Sequence, residues 1–293
     1  MILLQVLING LFLGGLYSLI SLGLTLIFGV IRVINFAHGE ILMISMYASY
    51  FCFSFWGLNP YLSLMIVIPA MFILGVLIDQ VVIRPIRQAP AYMQIFATVG
   101  LSVLLMNLAL VFLGGDYRTL NVGFARKVVQ IGPLGISLPR LIIFLASIAV
   151  AWLLYLFLNK TDIGKQIRAI TQDRDAAKLL GIDPNQIYMI TFGLGSALVG
   201  LAGGLMMPLY YVFPSVGAYF VLTAFVVVVL GGLGNMMGAL LGGLILGVID
   251  SLSGYYINPA LKEVVYLIVF LLVLLLKPSG LMGVIGAEEM GLK

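Results

Sequence analysis

Residues 2–31 read ILLQVLINGLFLGGLYSLISLGLTLIFGVI, with no charged residue anywhere in the run. A membrane-spanning helix needs about 20 mostly apolar residues, and this stretch exceeds that. As one straight helix it would be about 45 Å long at 1.5 Å per residue, against a hydrocarbon core of roughly 30 Å. It must therefore tilt, protrude or break, and Gly10, Gly14, Gly15, Gly23 and Gly29 offer places to break. The run lacks a basic leader and is too long for the apolar part of a signal peptide, so no cleavable signal is expected.

The remaining sequence repeats the pattern. Of 293 residues, 62% are hydrophobic and 9% charged, where soluble domains carry roughly 25% charged residues. A single aqueous core could not hide so much apolar surface. Apolar runs follow at Ile41–Trp56, Tyr61–Ile78, Ile95–Leu113, Leu141–Leu158, Ile187–Tyr211, Tyr219–Leu230, Met236–Leu252 and Val264–Leu276. The fold class is thus all-α, a polytopic helical membrane bundle of roughly 8–10 transmembrane helices, treated as one domain over 1–293. A net charge of +4 is too small for a nucleic-acid footprint, and no nucleic-acid partner is expected. Membrane lipid is the implied surroundings. The lone Cys52 excludes an internal disulfide and reads as a small core or lipid-facing residue.

Basic residues orient the chain. Arg84 and Arg87 share one loop, and Lys160, Lys165, Arg168, Arg174 and Lys178 another. Both should face the cytoplasm. The C-terminal tail with Lys277 and Lys293 then lies inside and the N-terminus outside. The loop at about 114–139 faces out despite Arg118, Arg126 and Lys127, and reads as a lid or docking surface.

Four features carry the functional reading. Asn35-Phe36-Ala37-His38-Gly39-Glu40 places the only histidine and a carboxylate between two apolar runs. Ionisable groups at membrane depth are costly and face a cavity or a partner. His38 and Glu40 either pair or meet a polar solute there, or they belong to a wet loop. Gly231-Gly232-Leu233-Gly234-Asn235 interrupts apolar sequence and allows a discontinuous helix or re-entrant turn. Asn35, His38, Glu40, Gly231, Gly232, Gly234 and Asn235 are the candidate pathway residues. The cytoplasmic loop, about 159–186, holds Asp173 as an N-cap, Arg174 to Leu180 as helix formers, Gly181 as a C′ residue and Pro184 beyond it. Such a short amphipathic helix either rests on lipid or docks in a groove of another protein. Finally, glycines at helical spacing, Gly193 to Gly204 and Gly238 to Gly247, permit close helix packing. Asp79 reads as solvated, and Asp250 as an interior or interfacial group.

No phosphate-binding Gly-x-x-x-x-Gly-Lys-Ser/Thr loop, no His-Glu-x-x-His and no nucleophile–base pair is visible. His38 has no companion metal ligands at a workable spacing. Catalytic and metal sites are therefore expected to be absent, and active transport needs an outside energy source. A self-sufficient carrier is the reading from another class, disfavoured by the missing proton relay. An intramembrane enzyme is more distant still.

Three segments together resemble the LivH-type permease subunits of ABC importers for branched-chain amino acids. They are Gly23-Leu24-Thr25-Leu26-Ile27-Phe28-Gly29 leading into Asn35 to Glu40, the Asp173 to Gly181 loop, and Gly231 to Asn235 with Gly238. The likeness covers nearly the whole chain, and Asn-Phe-Ala-His-Gly-Glu is its most specific part; the sister permease ends the equivalent segment in Gly-His-Gly. The resemblance implies a bundle with broken helices of the cobalamin-importer type, in a bacterial inner membrane. It implies as partners a homologous LivM-type second permease, two cytoplasmic ATPase subunits that bind the ATP, and a periplasmic substrate-binding protein. No cofactor of this chain's own is implied. Arg168, Asp173, Arg174, Asp175, Ala176, Ala177, Leu180 and Gly181 would form the coupling element. Asp175-Ala176-Ala177 stands where the family has Glu-Ala-Ala; the acidic character remains, so coupling is expected to survive. Urea, short amides or aromatic acids are alternative solutes for the same family.

Overall fold

The computed structural model describes residues 1–132 and 134–283. Lys293 lies outside the described residues, as does the side chain of Arg126. Residues 2–31 form one unbroken helix, α1 (Ile2–Ile31). Its glycines do not break it. A broken helix in an apolar medium strands backbone N–H and C=O groups at several kcal/mol each, and these glycines have another use. A Cβ on Gly10 or Gly14 would run into the backbone of Val248 or Leu244, one on Gly15 into Phe144, and one on Gly29 into Gly234. Gly243 and Gly247 answer from the other side, against Ser18 and Gly14. Small residues let backbones touch where lipid offers no hydrophobic drive to associate.

The other apolar runs become α2 (His38–Trp56), α3 (Pro60–Ile78), α5 (Ala91–Leu113), α6 (Leu138–Lys160), α9 (Pro184–Met206), α10 (Val216–Gly231), α11 (Met236–Tyr256) and α12 (Lys262–Leu276). A π-helical turn, Asp79–Ile83, and the short α4 (Arg84–Ile86) extend α3. The loop at about 159–186 holds α7 (Asp162–Gln172) and α8 (Arg174–Leu179). Among the described residues, six helices are long and apolar enough to cross a membrane, and α10 is a shorter apolar helix.

Burial sorts the helices. The apolar window of α1 is 83% buried and that of α9 72%, whereas those of α5 and α6 are 11% and 22% buried. α1 is therefore the axis of the bundle, wrapped by α11, α9, α6 and α10, with α3 packed outside α9. α5 and α6 present apolar surface outward, as lipid or another subunit requires.

α2 does not start at the membrane surface. Arg32 takes a left-handed turn at φ 59°, and the chain then doubles back along α1. His38, at the start of α2, meets the carbonyl of Ile20. Ile20 lies about 16 Å up α1 from Ile31 at 1.5 Å per residue. Arg32 to Ala37 thus re-enters the bundle as an extended segment, and α2 continues from it toward the end where α1 begins. The segment is held by Thr98 Oγ1, which donates to the Ile34 carbonyl at 3.0 Å, and by tilted packing of the Phe36 ring on that of Phe225, with centroids 4.9 Å apart. Gly39 then faces Gly217 of α10 so closely that neither can carry a Cβ.

Gly231 to Asn235 is a tight α10–α11 connection at the same end as the α1 C-terminus, not a break within a span. Gly232 and Gly234 take φ of 107° and 78°. Asn235 caps α11, accepting from Gly238 N at 2.9 Å. The carbonyls of Leu230 and Gly231 accept from Leu281 and Met282 N at 2.8 and 2.9 Å. At the opposite end, β1 (Val128–Ile131) and β2 (Leu134–Ser137) pair antiparallel, which apolar periodicity did not indicate. Arg118 and Val212 exchange backbone hydrogen bonds and join the two long loops there.

The close α1–α11 contact predicts that Gly14→Ala and Gly247→Ala each lower the thermal unfolding midpoint of the detergent-purified protein. Gly100→Ala, where a Cβ would meet nothing within 4 Å, should leave the midpoint unchanged or raise it, by the helix propensity of about 0.5–1 kcal/mol. Equal midpoints for all three would refute the packing account.

Candidate translocation and coupling elements

The sequence-predicted residues fall into three places. Asn35, His38 and Glu40 are buried together where the re-entrant segment enters α2, each exposed by 1% or less. They are not a solvated loop. They do not pair directly either. The Asn35 side chain accepts from Ala37 N at 3.1 Å, and His38 Nε2 meets the Ile20 carbonyl at 3.1 Å. That contact puts the proton of a neutral ring on Nε2 and leaves Nδ1 as an acceptor. Asn35 Nδ2, His38 Nδ1 and Glu40 Oε2 are buried without hydrogen-bond partners among the described residues. Glu40 sits in the first turn of α2, where the helix dipole favours a carboxylate. Three unsatisfied polar atoms in one buried neighbourhood are costly unless water, solute or another arrangement satisfies them.

Gly234 and Asn235 lie elsewhere. Together with Arg168 they line a cavity of about 500 Å³ between the C-terminal end of α1, α6, α7 and the α10–α11 connection. Arg32 and Tyr155 complete its polar rim, and its remaining wall is largely apolar. The structure thus places one predicted coupling residue, Arg168, on the wall of the same cavity as the predicted pathway residues Gly234 and Asn235 and leaves the histidine segment apart. Gly231 and Gly232 are buried beneath this connection.

The coupling element splits in two. Arg168 belongs to α7, an amphipathic helix capped by Thr161, whose side chain accepts from Gly164 N at 3.0 Å. Ile167 and Ile170 are its buried face. The remaining residues form α8 and its caps. Asp173 Oδ1 accepts from Asp175 N and Ala176 N at 2.9 and 3.0 Å. Gly181 has φ 83°, and Ile182 N closes the turn on the Ala177 carbonyl at 3.1 Å. Pro184 opens α9 behind the cap Asp183. Of the α8 residues only Ala177 is buried, while Leu179 and Leu180 are 90% and 80% exposed.

Sequence reasoning missed how α8 is tied to the bundle. The guanidinium of Arg174 lies 5.8 Å from the ring centre of Tyr188 in the first turns of α9, and that of Arg87 lies 4.5 Å from it. Arg87 in turn pairs with Asp79 at 2.7 Å, with side-chain exposures of 6% and 1%. Asp79 is therefore not solvated as its place at a span end suggested. The missing signal was spatial, since Tyr188 is far from Arg87 in sequence. Of the two places the sequence allowed for Asp250, interior or interfacial, the structure has the interior one: it accepts a 2.7 Å hydrogen bond from Tyr17 and faces Lys262 at 3.7 Å.

A polytopic helical bundle with a re-entrant segment and a capped, exposed loop helix is the class of protein these elements define. Comparison with known proteins agrees. The family described as branched-chain amino acid transport system / permease component matches residues 6–274, and the chain belongs to that family. It is 33% identical over 295 residues to the high-affinity branched-chain amino acid transport system permease protein BraD of Pseudomonas aeruginosa, covering 96% of this chain and 95% of that one. It is 31% identical over 293 residues to the permease protein LivH of Escherichia coli, with the same coverages. The ribose import permease protein RbsC of Haemophilus influenzae is 32% identical over 217 residues, 67% of this chain and 64% of that protein. No solved structure matches.

Breaking a buried ion pair strands a charge, at a cost on the order of 3–5 kcal/mol. Asp79→Ala should therefore lower the unfolding midpoint sharply, and the double variant with Arg87→Met should recover part of the loss. A single variant as stable as the parent would show that the pair is not energetically buried.

Proposed function

We propose that this chain is the membrane-spanning permease subunit of an ATP-driven importer of branched-chain amino acids in a bacterial inner membrane. The observation that carries the reading is α8. It is a capped, one-and-a-half-turn helix that displays two leucines to solvent and is anchored to the bundle through Arg174 and Tyr188. Exposed leucines on a helix that is otherwise held in place suit insertion into a partner's groove. The partners are two cytoplasmic ATPase subunits that carry the ATP. A homologous second permease completes the path, and a periplasmic binding protein delivers the solute. The basic loops with Arg84, Arg87 and α7–α8 face the cytoplasm, and the C-terminus with them. The branched-chain assignment draws on the relatives named for that solute, at 31–33% identity over nearly the whole chain.

Asn35, His38 and Glu40 gate the passage, with their unpartnered atoms exchanging partners as the bundle moves. Gly234 and Asn235 form its cytoplasmic rim at the 500 Å³ cavity, with Gly231 and Gly232 packed behind them. Movement of the ATPases reaches the bundle through Asp173 to Gly181.

The test is the complete complex in proteoliposomes with leucine, its binding protein and ATP. Gly181→Pro replaces a residue at φ 83° by one locked near −65°. It should reduce leucine-stimulated ATP hydrolysis by about tenfold or more, the effect of losing some 1.4 kcal/mol of coupling. Leu179→Glu should act in the same direction without straining the backbone. Parent-level stimulation in both variants would overturn the coupling role. In the same vesicles His38→Ala and Glu40→Gln should slow uptake at equal protein level, and unchanged uptake would remove them from the path.

A further inference from the structure

A second pocket, of about 250 Å³, lies at the end of the bundle opposite α8, between α1, α6, α11 and α12. Its chemistry is mixed in an ordered way. Phe12, Leu16, Ile143 and Leu209 form an apolar wall, and Arg140, Asp250 and Lys262 supply fixed charge of both signs. Burying a carboxylate in an apolar bundle is costly unless it is paired and hydrogen-bonded. Asp250 is only half provided for. Its Oδ2 accepts from Tyr17 at 2.7 Å, but Oδ1 has no hydrogen-bond partner among the described residues and stands 3.7 Å from Lys262 Nζ, although the side chain is 1% exposed. A free acceptor inside a pocket asks for a donor. Lys262 is 31% exposed and Arg140 is exposed, so two cations stand at the mouth, with more positive charge than Asp250 neutralises.

We propose that this pocket binds a zwitterionic aliphatic α-amino acid, with the α-ammonium on Asp250, the α-carboxylate on Arg140 and Lys262, and the side chain on the Phe12–Leu16–Ile143–Leu209 wall. Each part of the ligand answers one feature. A simple carboxylic acid leaves Asp250 Oδ1 unmet, and an amine or amide leaves the two cations unmet. The volume lies below the roughly 300–1,000 Å³ of drug-sized sites, which suits a single amino acid. The site belongs to one permease subunit and lies on the side that the proposed orientation turns to the periplasm. It is therefore a station between delivery and passage. The identity of the solute, not the existence of the site, rests on the proposed function.

Gly254 lines the same pocket, and a Cβ added there would meet nothing within 4 Å. Gly254→Cys, in a Cys52→Ala background that removes the native thiol, is thus a reporter. The complete complex in nanodiscs is labelled with a charged thiol reagent, and uptake is followed separately in vesicles. Leucine should slow labelling saturably. Leucinamide and 4-methylpentanoate, which lack one or the other charge, should not at the same concentration. Arg140→Gln or Lys262→Gln should raise the leucine concentration for half-protection by about tenfold or more, as losing a hydrogen bond to a charged group implies. Asp250→Asn should do the same if it folds; the two cation variants decide the matter if it does not. Leucine uptake by the parent complex without protection, or protection unchanged in both cation variants, overturns the site and leaves the proposed function standing. Protection without uptake upholds the site and overturns the proposed function.

Discussion

Direct backbone contact between α1 and α11 is the constraint on which the rest of the structure depends. Gly10 and Gly14 on one helix, and Gly243 and Gly247 on the other, bring the two main chains close enough to touch. Lipid supplies no hydrophobic force between helices, so short-range dispersion holds the pair together with interhelical hydrogen bonds from Ser18 to the Leu240 carbonyl, from Ser251 to the Val6 carbonyl and from Tyr17 to Asp250. Once α1 is seated, its other faces receive α9 at Gly23 against Gly195 and α6 at Gly15 against Phe144. The helix that would be too long to span without tilt or protrusion is in fact the post around which the others are arranged.

That arrangement explains how polar groups survive inside. α2 enters only after the chain has doubled back along α1, so the first turn of α2 is surrounded by protein. Irregular backbone at depth is tolerated under that condition. The re-entrant segment is covered by α5 through Thr98 and by α10 through Phe225, and the Gly39–Gly217 contact fixes how closely α10 approaches. His38 and Glu40 owe their burial to this detour.

Much of the scaffold was legible in the sequence because apolarity over some 20 residues is a local property. All nine apolar runs correspond to helices, and the caps at Asp173 and Gly181 were readable from residue type alone. Depth and partnership were not. Asp79 at a span end looks solvated until Arg87, about two turns further along the same helical extension, is seen closing on it with Tyr188 of α9 against the guanidinium. The same limit hid α7, whose Thr161 cap and Ile167–Ile170 face lie in a loop dominated by charge. It also hid the role of the α1 glycines, which look identical in sequence whether they hinge a helix or seat its neighbour. The β1–β2 pair escaped because no apolar face sets its register.

The Arg174–Tyr188–Arg87–Asp79 chain has a mechanical meaning. Tyr188 is held between two guanidinium groups, one from the loop helix and one from the end of α3. These side chains tie α8 to the α3–α9 pair at the periphery, whereas α8 reaches α1 through α7, which leads into it. The bundle is divided into a stiff spine and a lever resting on it, and the groups that would have to yield during transport are the ones held by side chains, not those locked backbone to backbone.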